Sequence, residues 1–218
     1  MNSQLEELFK EWKENVPYYN ENIVKDGIIN EELYIKSSVK VLFIAKEPND
    51  PKRSSWSFQD LWETEEGFRN SFSFRIAEWA AGIQNNFKSN YDNLWEDYEK
   101  MLNYLKSIAF INVKKIGGAG ITNYDELHEH FNLNKKFLIR EIDIIKPKVI
   151  MLGLSFDKKI RNELFEESEW KPSGYQIEIT NWIGIKIIDF YHPSSRNAPA
   201  AAYSLLQNVF NSNEFKSL

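Results

Sequence analysis

Four polar stretches in this chain each follow directly on an apolar run. Lys46-Glu47-Pro48-Asn49 follows the first, Asn112 closes the second with Lys114 and Lys115 behind it, and Gly153 and Ser155 follow the third. After the last comes His192-Pro193-Ser194-Ser195-Arg196-Asn197. In open α/β sheets, ligands sit in the crevice beyond the carboxyl ends of the strands. The four stretches therefore bring a carboxylate, an amide, an imidazole and several cations to one rim. A carboxylate can take a proton or steady a developing positive charge, an imidazole can donate a hydrogen bond, and an amide carries one acceptor and two donors. Taken singly, each residue has an ordinary use. Glu47 reads as a loop carboxylate, Asn112 as a turn cap, His192 as a buried and satisfied ring, and Arg196 as a surface cation or a partner for Asp189. Their common placement is what sets them apart.

The elements that must position them alternate between strand and helix. Val39 to Ala45, Ile108 to Val113 and Val149 to Leu152 are continuous apolar runs, the pattern of strands buried on both faces of a parallel sheet. Pro48 to Pro51 stops the first, and Gly153 closes the third. Gln176 to Thr180 and Ile183 to Tyr191 read as paired strands around an Asn181-Trp182 turn. A helix over about 3–16 is expected from the capping-box spacing of Ser3-Gln4-Leu5-Glu6. Ile76, Trp79, Ala80 and Ile83 mark a second helical face, and Leu94, Tyr98, Met101, Leu102 and Leu105 a third. Helical sequence also runs from about Tyr124 to Ile145, with a break near Asn132, over 155–167, and from Ala198 to Phe210. Pro17 to Ser38 reads as irregular and polar. The alternation predicts a three-layer α/β sandwich with a mostly parallel central sheet of about four strands. It forms a single domain over 1–218, with an N-terminal helical extension over about 1–38.

Length and composition narrow the function classes. The 218 residues fit one domain, and 42% hydrophobic with 27% charged residues is globular composition. No cysteine is present, which excludes disulfides, thiolate metal sites and cysteine nucleophiles. A net charge of −5 gives no global basic field, so any nucleic-acid contact must use a local patch. Glu6, Glu7, Lys10, Glu11, Lys13 and Glu14 rule out a secretory apolar region near the start, and Val149 to Leu154 is too short to span a bilayer. The expectation is a cytoplasmic protein, a monomer, with no membrane partner. Gly117-Gly118-Ala119-Gly120 has neither P-loop nor dinucleotide spacing and reads as a flexible turn. His128 and His130 lie two apart on a predicted helix and face different directions, so no metal site is expected there.

His192-Pro193-Ser194-Ser195-Arg196-Asn197 resembles the second signature of the uracil-DNA glycosylase superfamily, closest to its single-strand-selective monofunctional branch. Ile44-Ala45-Lys46-Glu47-Pro48-Asn49 is similar in position to the first signature, and Ala109-Phe110-Ile111-Asn112 to the strand ending in the base-reading asparagine. Val149 to Gly153 resembles the third core strand, so the likeness covers about residues 39–210. Departures are Ala45 for the usual Gly, Glu47 for Asp or Asn, and Ser195 for Pro. They bear on which base is excised more than on the fold.

The resemblance implies a DNA glycosylase that cuts the N-glycosidic bond of uracil or another modified base. Glu47 would hold and deprotonate a water, or stabilise the oxocarbenium-like sugar by its charge. His192 would donate to a base carbonyl as negative charge grows there. Asn112 would pair with the imide edge and carry selectivity. The base must be flipped out of single- or double-stranded DNA, with Arg196 as the wedge. Trp56 and Phe58 are the stacking candidates, with core packing as the equal alternative. Ser194, Lys46, Lys52, Arg53, Lys114 and Lys115 would contact the backbone, giving modest affinity that falls steeply with salt. No metal or organic cofactor is needed.

A second reading is a superfamily relative with altered catalysis that works as a nucleic-acid-binding or interaction module. The net charge and the altered first motif favour it, and the joint presence of Glu47, Asn112 and His192 opposes it. A small-molecule hydrolase lacks support, because the chain has no Gly-x-Ser-x-Gly elbow and no Walker loop.

Overall fold

The computed structural model describes residues 1–19, 22–68 and 70–218, and only the backbone of Glu65 and Glu66. Its strands are β1 (Val24–Lys25), β2 (Gly27–Ile28), β3 (Val41–Ala45), β4 (Trp56–Ser57), β5 (Ala109–Asn112), β6 (Val149–Gly153), β7 (Lys171–Pro172), β8 (Glu178–Trp182) and β9 (Ile185–Asp189). Seven of them form one sheet in the order β2-β5-β3-β6-β9-β8-β7. The central β5, β3, β6 and β9 run parallel, while β2, β8 and β7 are antiparallel additions at the two sides. The parallel core is thus the expected four strands, and the sheet as a whole is wider.

Period-two alternation splits the strands between two layers of helix. Val41, Phe43, Phe110 and Met151 face a core that includes Ile76, Trp79, Met101 and Leu206. Leu42, Ile44, Ile111 and Ile150 face the opposite core, with Trp12, Phe131, Leu138 and Ile160. Helices Ser71–Gln84, Tyr98–Lys106 and Pro199–Asn211 cover the first face, and Asn2–Asn15, Tyr124–Ile145 and Lys158–Leu164 the second. The architecture is a three-layer α/β sandwich. Among the described residues, no helix is long and apolar enough to cross a membrane.

Several local expectations are corrected. Helix Asn2–Asn15 carries no side-chain cap; instead the Met1 amine and the Asn2 N–H donate to the Glu31 carboxylate at 2.7 and 3.2 Å. A carboxylate from another helix satisfies the free N–H groups as well as Ser3 would. Helix Tyr124–Ile145 is unbroken over 22 residues, because Asn132 lies on its exposed face while the buried stripe continues through Phe131 and Leu138. An exposed Asn costs such a helix only about 0.7 kcal/mol. The β8–β9 turn falls at Ile183-Gly184, where φ is 46° and 85°, and Asn181 pairs with Lys186 inside the ladder. Two left-handed residues are what a two-residue hairpin needs, and Gly184 takes that conformation without strain. The polar stretch 17–38 is not irregular: it holds β1, β2, helix Glu31–Lys36 and the buried Tyr19, Ile28 and Tyr34. Its Asn20 and Glu21 lie outside the described residues.

Candidate active site

The chain leaves β3 for β5 on one side, then returns to β6 on the other side of β3 and continues to β9. The carboxyl ends of β3 and β6 therefore send the chain in opposite directions, which opens a crevice between them. An open cleft of about 580 Å³ lies there, lined by Lys46 and Glu47 after β3, Ser155 and Phe156 after β6, and Tyr191 and His192 after β9. The Lys46 ammonium donates to Ser155 Oγ at 3.1 Å and joins two of these loops.

His192 is presented by a turn in which the Ser195 N–H donates to the His192 carbonyl at 2.8 Å. Pro193 sits in the second position of that turn, where its fixed φ suits the bend. Beneath it, a β-carbon on Gly153 would come 3.1 Å from Pro193 Cδ and 3.4 Å from the Ile44 carbonyl, a tight fit that glycine relieves. Arg75, from helix Ser71–Gln84, donates to the Asn197 carbonyl at 3.1 Å and ties down the far end of the loop. The Ser194 N–H donates to His192 Nδ1 at 3.1 Å. Burial, with the Lys46 charge added, pushes the imidazole down to about 4. At neutral pH the ring is uncharged, and because Nδ1 accepts, the proton resides on Nε2. Phe72 lies 5.8 Å from this ring, centroid to centroid. It is an aromatic neighbour that helical periodicity alone does not single out.

Glu47 is gripped from several sides. The ladder between β3 and β5 continues past both strands, with Val113 N–H donating to the Ala45 carbonyl and Lys114 N–H to the Lys46 carbonyl, each at 2.9 Å. This register carries the Lys114 side chain to Glu47, where Nζ meets Oε2 at 2.7 Å and also Glu126 Oε1 at 2.9 Å. The Lys114 ammonium in turn holds the Glu126 carboxyl below its usual range. Oε1 of Glu47 is buried and has no hydrogen-bond partner among the described residues. Gly118 lies against the same carboxylate and Gly117 against the Asp50 backbone, leaving no room for a β-carbon at either. The glycine stretch is therefore a close-approach segment at its first two positions rather than a flexible turn.

Asn112 does not line the cleft. Its side chain is 1% exposed, its backbone N–H donates to Asp26 Oδ2 at 2.7 Å, and its Nδ2 donates to the same oxygen at 3.3 Å. Asn112 Oδ1 is buried without a partner among the described residues. Asp26 is held by Lys115 at 2.6 Å, and Lys115 bonds Glu141 at 2.7 Å, all three side chains being fully buried. Burial pushes the Glu141 carboxyl up.

Lys114 and Lys115 are thus corrected from phosphate contacts to buried ion-pair partners. The available signal was Glu141, a carboxylate on the mostly apolar buried stripe of helix Tyr124–Ile145, which also holds His130 and Asn134. Phe58 is corrected to a core residue. It is 5% exposed and packs on Trp62 and Phe110 at centroid distances of 5.0 and 4.6 Å. Trp56 is half-buried and donates from Nε1 to Asp50 Oδ2 at 3.2 Å, which pins it outside the cleft. Arg53 is engaged by Glu126 at 3.0 Å. Arg196 is exposed, flanked by the cleft residues Ser195 and Asn197, and forms no ion pair among the described residues. Asp189 instead pairs with Arg161 at 2.7 Å, and burial raises its carboxyl to about 6. Ser194 lines the cleft.

No protein-family model matches this chain, and no curated protein sequence matches it. His128 bonds Asp157 at 2.7 Å, and His130 lies 3.2 Å from the Tyr19 hydroxyl. Among the described residues, no group of three acidic or histidine side chains is arranged to hold a metal ion. Of the residues lining the cleft, Glu47 carries a buried carboxylate oxygen with no hydrogen-bond partner among the described residues and His192 an uncharged imidazole, beside the hydroxyls of Thr122, Ser155, Tyr191, Ser194 and Ser195.

Proposed function

We propose that this chain is a monofunctional DNA glycosylase that hydrolyses the N-glycosidic bond of a modified base, uracil among the candidates, extruded from DNA. The reading also takes it to work in the cytoplasm as a monomer. The observation that carries it is the meeting, in the lining of one cleft, of Glu47, whose Oε1 has no hydrogen-bond partner among the described residues, and a neutral His192 whose Nε2 bears the proton. Breaking such a bond builds positive charge on the sugar and negative charge on the base. An acceptor on one side and a donor on the other suit those two charges. Water bound at Oε1 adds its oxygen to C1′ as the C1′–N bond breaks. The bonding pair leaves with the base, His192 donates to the base oxygen that gains charge, and the proton released by water passes to the carboxylate. An uncharged donor makes this contact without adding a charge of its own beside Lys46. Lys46 and the exposed Arg196 are the cations at this mouth that suit a phosphate backbone.

One observation favours the second reading, a nucleic-acid-binding module without base excision. The Asn112 amide nitrogen is occupied by Asp26 and its side chain lies off the cleft, so the selectivity expected of it has no open path. The two readings separate on single- and double-stranded oligonucleotides carrying uracil, hypoxanthine, xanthine or hydroxymethyluracil. Alkali-labile sites that vanish in Glu47→Ala and fall about 10²–10³-fold in His192→Ala support the enzyme. Binding without cleavage across the whole panel supports the module.

A further inference from the structure

We propose that Lys114 is the positioning residue of Glu47: it occupies one carboxylate oxygen permanently so that the other, Oε1, is presented to the cleft as the acceptor for a single water. The inference rests on the glycosylase reading only for what that water then does.

The geometry is unusual for a lysine on a loop. Its side chain is 1% exposed and that of Glu47 is 6% exposed, so neither end of the pair is free to swing into solvent. A buried lysine head needs its donors satisfied, and both nearby acceptors are carboxylates, Glu47 Oε2 at 2.7 Å and Glu126 Oε1 at 2.9 Å. Glu126 is itself anchored by Arg53 at 3.0 Å, so the ammonium cannot drift away from Glu47 with it. Gly118 packs against the carboxylate and limits its movement on that side. The main-chain bond from Lys114 N–H to the Lys46 carbonyl fixes where the lysine stem begins, one residue from Glu47. Among the described residues the hydrogen bond and ion pair of the carboxylate fall on Oε2, while Oε1 packs against Gly118, is buried without a hydrogen-bond partner and belongs to a residue lining the cleft. A buried acceptor left unpaired is costly, and in a site this polar a water with other partners in the hydroxyl wall satisfies it.

A lysine acting purely as a structural tie and a lysine acting through Glu47 differ in kinetics. Lys114→Met is expected to lower kcat about 10–100-fold with KM changed less than about twofold, the usual size of losing an orienting partner. Combined with Glu47→Gln, it is expected to add nothing, because the residue it orients is already disabled. Multiplying effects in the double variant, or an unchanged kcat per folded molecule in Lys114→Met, overturns the proposal. Crystal structures provide a readout independent of turnover. The wild type should hold a water within hydrogen-bond distance of Oε1, and in Lys114→Met the carboxylate should turn; an unchanged carboxylate overturns the proposal. If no oligonucleotide is cleaved, the glycosylase reading fails and these structures alone decide the role of Lys114. If Lys114→Met does not fold, the wild-type ammonium decides it by NMR. Shielded between two carboxylates, it should give a slowly exchanging 15N–1H signal that shifts in Glu47→Gln, and a rapidly exchanging signal overturns the proposal.

Discussion

Gly118 sits so close against the Glu47 carboxylate that a single methyl group on its α-carbon would overlap both Oε2 and Cδ. The contact is made by a segment whose main chain is stapled to the loop after β3: Gly118 N–H donates to the Pro48 carbonyl at 2.8 Å and Asp50 N–H to the Gly118 carbonyl at 3.1 Å. Glycine is required here by space rather than by backbone conformation.

Gly118→Ala is therefore expected to act on the site more than on the fold. Overpacking of this kind costs about 1–3 kcal/mol, readable by urea denaturation. Displacing the carboxylate by about 1 Å should lower turnover about a hundredfold, measured on whichever oligonucleotide the wild type cleaves. Full activity in a folded Gly118→Ala protein would contradict the tight seating described above. Gly120→Ala is the control, since nothing lies near that position.

Two histidines make stability depend on acid. His130 and His192 are both pushed from about 6.5 down to about 4, chiefly by burial. The unfolded chain therefore binds more protons than the native one between those values, and stability rises with pH across that window. The stabilisation is complete above pH 6.5 and is lost as pH falls through 4. For the well-buried His130 the slope approaches about 1.4 kcal/mol per pH unit. Denaturation midpoints at pH 7, 5.5 and 4.5 check this, and His130→Asn should flatten the curve. A midpoint independent of pH over that range would refute it.

Lys115 stands between two carboxylates that have no access to water. Lys115→Met leaves Asp26 and Glu141 uncompensated and is expected to cost about 3–5 kcal/mol. The Glu141 carboxyl is already raised by burial, and removing the ammonium raises it further. A group raised on folding favours the native state at low pH, so the deficit of Lys115→Met should shrink on acidification. By contrast, Glu32→Gln breaks the exposed pair with Lys36 and should leave the denaturation midpoint nearly unchanged.

The burial of Lys114 and Lys115 also changes what salt should do. Lys46, Lys52 and Arg196 are left as the candidate phosphate contacts, since Arg53 is engaged by Glu126. Two or three neutralised phosphates give a slope of log affinity against log salt of about −2 to −3. Fluorescence anisotropy with a labelled duplex across 50–300 mM salt measures it. A slope steeper than about −5 would mean that other cations form the contact.

Much of the fold is legible in the residues, and the reasons are physical. Runs such as Val149 to Leu152, short, apolar and closed by Gly153, have the pattern of strands buried on both faces, so the parallel core and its two helical layers follow from patterning. Short-range polarity misleads in 17–38, where Tyr19, Asp26 and Ile28 are buried by partners far along the chain. The rim rule brings Glu47 and His192 to one cleft correctly. It fails for Asn112, Lys114 and Lys115 because residue type alone does not tell whether a polar group at a strand end meets solvent or a buried partner. Glu126 and Asp26 decide that, and they come from elements 12 and 86 residues away from the lysine or amide they bind.

Both margins of the sheet are dipeptides. On one side Gly27–Ile28 is buried, and on the other Lys171–Pro172 ends the sheet with an ammonium and a residue that has no amide hydrogen to offer. A neighbouring chain seeking to extend the sheet finds almost no ladder to join. Margins this short work against edge-to-edge stacking into fibrils, even though most of the strands between them are among the most apolar segments of the protein.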